Sequence, residues 1–198
     1  MTSNVYFFAF LVGISCSSCA KKSNTAAAVG VAVASSCTAS EDLSSIDGTT
    51  PMSASQPIGQ AALMNGTVGE TFDLSNVRVF GSTNALSSIT LRIYRDAVPK
   101  TFTFDAGTLL GTSIVTTGLG SSNAATPIDF PFSSAIGLSE GSSYSFIVTG
   151  LGGAYTMSNF SPSSYADGEL ATKTTGTWNS IASTGLAMTL TYSGCSGN

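Results

Sequence analysis

Ser87–Arg95 constrains this chain more than any other stretch. Ile89, Leu91 and Ile93 fall on one side, and Thr90, Arg92 and Tyr94 on the other. A period of two is that of a strand with one buried and one wetted face. Leu186–Tyr192 repeats it, with Leu186, Met188, Leu190 and Tyr192 on one side and Ala187, Thr189 and Thr191 on the other. Between these runs lie short stretches of β-branched and aromatic residues, punctuated by Gly, Asn, Ser and Asp. Further strands are expected in Glu70–Phe80 (with a break near Ser75 and Asn76), Thr101–Phe104, Ser113–Thr117, Ile128–Phe132, Ser142–Thr149 and Ala154–Met157. Ala135–Gly141 reads as a strand end and turn. No stretch sustains a 3.6-residue period with charged flanks.

Eight to ten strands in 198 residues fit a two-sheet sandwich. The expected fold is all-β, a jelly-roll-like antiparallel β-sandwich with a flexible N-terminal tail. Only 9% of residues are charged while 42% are hydrophobic, against about 25% charged in an average domain. Ser, Thr, Gly and Ala fill the gap, as in exported β-proteins whose polar faces carry hydroxyls. The net charge of -4 includes no basic stripe, so nucleic acid is not an expected partner. Histidine is absent from the whole sequence. That removes Ser-His and Cys-His catalysis, histidine-ligated zinc and the usual proton shuttle near neutrality.

The N-terminus carries an export signal. Val5–Ile14 is an apolar run of ten, too short for a membrane span of about 20 residues. It ends in Gly13-Ile14-Ser15-Cys16-Ser17-Ser18-Cys19-Ala20, which resembles a bacterial lipoprotein signal. Lipid would attach at Cys16 or Cys19; an ordinary cleaved signal peptide is the alternative. The expected location is the outer membrane or cell surface as a lipoprotein, or the medium as a secreted protein. Two features depart from the lipoprotein pattern. Gly13 or Cys16 stands where leucine is usual, and no Lys or Arg precedes the apolar run.

Cys37 and Cys195 then remain as a natural disulfide pair, unless Cys37 is a free thiol in a mobile tail. The expected division is an export segment over 1–19, a linker over 20–58 and the sandwich over 59–198. Within the linker, Ala26–Ala34 (AAAVGVAVA) is apolar. It is a weakly ordered tether, a short helix, or a strand added to this domain or to a neighbour.

Three stretches together resemble a known kind of module. They are Leu86–Tyr94; Asp129–Phe132 followed by Ile136–Phe146; and Tyr165-Ala166-Asp167-Gly168, then Trp178, then Leu186–Leu190. They are similar to the jelly-roll modules of bacterial surface and secreted proteins, the choice-of-anchor and carbohydrate-binding-module-like domains. The resemblance covers about half the chain and implies recognition of a glycan or a surface protein. Asp167 and Gly185 depart from the pattern, standing where the modules often have glycine and an acid.

Candidate ligand-binding residues follow. Trp178, the one tryptophan, lies in a turn-rich stretch where its ring would either stack on a sugar or cap the core. Tyr155, Asn159, Phe160, Tyr165 and Asp167 would complete an aromatic-polar patch with it. No cofactor and no metal site are expected, although calcium held by carboxylates from two loops would leave no signature in sequence. The expected role is therefore non-catalytic recognition at the envelope, adhesin-like or glycan-binding, with a lipid anchor in the membrane. The alternative is a structural subunit of a surface fibre or homo-oligomer, assembled through Ala26–Ala34.

Overall fold

The computed structural model describes residues 48–53, 55–64, 68–84, 86–95, 104–116, 126–160, 170–181 and 185–196. The expected export segment and most of the expected linker lie outside them. Twelve strands run through the described residues: β1 (Gly48–Ser53), β2 (Ile58–Leu63), β3 (Thr71–Asn84), β4 (Ser88–Arg95), β5 (Thr108–Val115), β6 (Thr126–Ser139), β7 (Ser143–Leu151), β8 (Ala154–Phe160), β9 (Leu170–Thr174), β10 (Thr177–Ile181), β11 (Gly185–Leu186) and β12 (Met188–Ser196). They form two six-stranded sheets, and the strand pairs among the described residues are antiparallel. Sheet A runs β1-β8-β3-β12, with β6 on β3 and β11 on β8; sheet B runs β10-β9-β2-β7-β4-β5. The expected all-β, antiparallel two-sheet architecture is what the chain adopts.

The period-two residues do what the alternation requires. Ile89, Leu91 and Ile93 are fully buried, and so is Leu186; Met188, Leu190 and Tyr192 join them in the core between the sheets. Two expectations change. The linker ends before residue 58, because Gly48–Ser53 already pairs with β8. The break near Ser75 is a bulge inside one 14-residue strand. Phe72 and Leu74 face inward before it, Val77 and Val79 after it. One extra residue at Ser75 brings both phases of the pattern to the same face.

Strand β6 is likewise one long strand where a strand and a turn were expected. Its register with β3 passes from Pro131↔Asn76 to Ile136↔Leu74, so Ser75 alone stands opposite residues 132–135.

Sheet B is covered on both faces. The second layer consists of Ala61, Phe104, Ile147, Ala171 and Trp178, with Tyr94 against it. Consequently β2 is buried along nearly its whole length, on both sides. Its inward Gln60 spans the sandwich. The side chain is fully buried, Oε1 accepts the Leu186 N–H at 2.8 Å, and Nε2 donates to the Ala61 carbonyl at 2.7 Å. Both polar ends are satisfied, which offsets the cost of burying an amide.

Candidate functional site

Strands β9 and β10 form a two-residue hairpin, Thr174-Thr175-Gly176-Thr177. Thr175 (φ +50°) and Gly176 (φ +87°) are both left-handed, as tight hairpins of matching twist require. The hairpin sets Trp178 directly across from Lys173 on the outer face of sheet B. The tryptophan is 4% exposed. Phe104 lies against it, with ring centroids 4.8 Å apart and planes at 41°. A Cβ at Gly59 would stand 2.9 Å from Phe104 Cδ1 and 3.0 Å from Trp178 Cζ3. The two rings therefore rest on backbone that only glycine leaves bare.

Asp105 fastens this layer from above. Its Oδ1 accepts the Trp178 Nε1–H at 3.0 Å, and its Oδ2 accepts from Lys173 Nζ at 2.5 Å. The ammonium also sits 5.5 Å from the indole centroid. Burial pushes the Asp105 carboxyl up, but the hydrogen bonds from Lys173 and Trp178 outweigh it and hold the group below the ordinary carboxylate value. Ser145 Oγ donates to the Phe104 carbonyl and ties the layer to β7.

The residues singled out in sequence do not form one patch. Tyr155 is 2% exposed and belongs to the core between the sheets, whereas Trp178 lies on the far side of sheet B. Gly150 makes room for Tyr155, since a Cβ there would stand 2.3 Å from Cε1. Burial pushes the Tyr155 hydroxyl pKa up. Both rings are thus covered by protein, and neither offers a face to a sugar. Asn159 and Phe160 are placed by backbone register, at the end of β8 opposite Leu186 and Gly185. Tyr165, Asp167, Cys16, Cys19 and Cys37 lie outside the described residues. Cys195 lies near the end of β12, in register with Phe72, and packs against the main core.

Searches against protein-family models and curated proteins find no match.

Asp129 is engaged apart from Asp105. Asp129 accepts from Arg78 Nε and Nη2 at 2.8 and 2.9 Å and from Asn76 Nδ2 at 3.0 Å, on the surface of sheet A. Among the described residues no three His, Cys, Asp or Glu side chains gather as a metal site would need.

Strand β5 ends sheet B, and β6, on the other sheet, pairs only with β3 among the described strands. The two edges meet where Ser113 Oγ donates to the Pro131 carbonyl at 2.7 Å. Beyond that bond they part around an open cleft of about 360 Å³, lined by Leu110, Gly111, Phe132, Ser134 and Ile136 among others. Gly111 is required where the edges stay close, because a Cβ there would fall 2.3 Å from Ile136 Cδ1. On the outward side of β5, opposite Tyr94 and Thr90, Leu109 is 50% exposed and Ile114 61%. The sequence signal for this seam is the absence of any charge from Thr108 to Val115. Natural edges are usually blunted by charge, by proline or by a covering segment.

Proposed function

We propose that this chain is a non-catalytic module displayed at the bacterial envelope, and that it works as a structural subunit by contact between protein surfaces. Its export follows from Val5–Ile14, its tether from a lipid on Cys16 or Cys19, and a Cys37–Cys195 disulfide closes the sandwich onto that tether. The observation that carries the reading is the β5 edge. An uncharged edge strand with two exposed aliphatic side chains is costly to leave in water and suited to receiving another strand.

A glycan-binding role has less support, because the Trp178 and Tyr155 rings that motivated it are spent on packing. It would have to rest on Tyr165 and Asp167. The absence of histidine supports a role without acid-base catalysis.

Size-exclusion chromatography with light scattering on the purified full chain tests the proposal. Concentration-dependent oligomers are expected. A monomer at every concentration, together with glycan-array binding by the same preparation, would overturn it in favour of glycan recognition.

A further inference from the structure

Strand β5 is its own complement. A bulge at Leu110 shifts its register with β4, from Gly111↔Ile93 to Leu109↔Tyr94. The shift brings Leu109, Thr112 and Ile114 to one side of the strand, opposite Tyr94, Arg92 and Thr90. Turned half a revolution about an axis at Thr112, the strand meets itself in an antiparallel pair. Thr112 then falls opposite Thr112 of the second copy and Gly111 opposite its Ser113. Past the bulge, Leu109 falls opposite Ile114. We propose that β5 of one copy pairs with β5 of a second copy about a two-fold axis at Thr112, so that two six-stranded B sheets join edge to edge. This rests on the assembly reading above and names its partner and contact.

The edge is open to such a partner. Among the described residues the β5 backbone bonds only to β4. Its contacts with β6 come from Ser113 and Gly111, which stand opposite the core residues Leu91 and Ile93 and so face inward. A strand added in the plane of sheet B leaves those contacts in place. On the outward face, each exposed Leu109 covers an exposed Ile114, with Cβ atoms about 5 Å apart.

Charge permits a like copy. Thr108–Val115 carries none. Arg92, beside the axis, stands three strand spacings from its counterpart, about 14 Å, beyond the screening length of about 8 Å. Other edges suit a partner less well. Strand β1 carries Pro51, and β6 carries Pro127 and Pro131. Strand β10, at the far edge of sheet B, has five residues against the eight of β5. A two-fold contact closes on itself, so growth stops at the dimer. Eight residues a side fall short of the ~20–30 of a standard interface, so dimer and monomer exchange with concentration.

Disulfide trapping on the full chain reads the register. Thr112→Cys puts a thiol at the axis, where opposed Cα atoms lie about 4.5–5.5 Å apart, within disulfide reach. After mild oxidation, non-reducing peptide mapping should find the β5 peptide joined to a second copy of itself. Leu109→Cys and Ile114→Cys, each alone, should not self-link, because each thiol stands about 13 Å along the strand from its counterpart. Mixed, those two variants should link to one another. Adding Ile114→Lys to Thr112→Cys should abolish the link and the dimer together. No self-link at Thr112→Cys, or equal self-linking by all three cysteine variants, would overturn the proposal, while oligomers by light scattering would leave the assembly reading standing. A monomer at every concentration would overturn both.

Discussion

Trp178→Ala separates a packed ring from a displayed one. The substitution empties most of the second layer on sheet B. Truncating a buried Phe or Trp to Ala costs about 3–5 kcal/mol through lost transfer energy and a residual cavity. Here the tilted stack on Phe104 is lost as well, along with a hydrogen bond to an ionised carboxylate. Relief comes from the position of the layer. It lies at the surface of sheet B, where water can reach the vacated space, and Asp105 keeps its Lys173 partner. A loss of about 4 kcal/mol results. With a urea m-value of about 2 kcal/mol/M, the midpoint falls by about 2 M.

Urea unfolding of the full chain followed by circular dichroism measures this, since the variant has no tryptophan to report. In the wild type, indole fluorescence should resist acrylamide quenching until the chain unfolds. A partner substitution sharpens the test. Gly59→Ala should destabilise the wild type, because its Cβ meets both rings, and should cost less in the Trp178→Ala background, where one obstacle is gone. A midpoint shift under about 0.5 M, with a freely quenched indole, would refute the packing argument and return Trp178 to the list of binding residues.

Thr175→Asn should stabilise the chain by about 1 kcal/mol, because a β-branched residue at φ +50° bears a penalty that asparagine largely escapes; a raised melting temperature in calorimetry is the expected reading. Gln60→Leu should cost about 2 kcal/mol by chemical denaturation, since the Leu186 N–H is left buried without its acceptor. Asp105 sets a pH dependence. Its folded pKa lies below the unfolded value, so its contribution is present above about pH 4 and is lost as pH falls through the folded pKa. Acid titration of stability should therefore be steeper for wild type than for Asp105→Asn, and equal slopes would show that the carboxylate is not held as described. Non-reducing peptide mapping should recover Cys37 joined to Cys195.

What could be read from the sequence followed from period and from negative composition. Ile89-Leu91-Ile93 and Leu186-Met188-Leu190 need only one sheet face to be dry, and a local pattern carries that information. The second layer on sheet B was not legible, because it depends on Phe104 and Asp105 meeting Trp178 across 73 positions. Nothing near Trp178 announces a carboxylate partner. A partial signal did exist in β2, where Gly59 and Ala61 alternate as small residues; small residues on a strand's outer face mark the close approach of something large. The bulge at Ser75 shows in the sequence as a change of phase from Phe72-Leu74 to Val77-Val79, and phase alone does not say whether a chain stops or inserts a residue.

The same bookkeeping of faces and edges distinguishes the two candidate surfaces. On the outer face of sheet B the Trp178 and Phe104 rings are packed on each other, and the polar atoms that fasten the layer are paired with one another: Trp178 Nε1 and Lys173 Nζ on Asp105, Ser145 Oγ on the Phe104 carbonyl. A ligand there would have to displace bonds already made. At the β5 edge the situation is reversed. Leu109 and Ile114 remain in water on its outward side, and β5 carries none of the charges that keep an edge solitary. On the assembly reading, Ile114→Lys, which puts an ammonium in the middle of the β5 edge, should abolish the oligomers seen by light scattering while leaving the melting temperature of the sandwich unchanged.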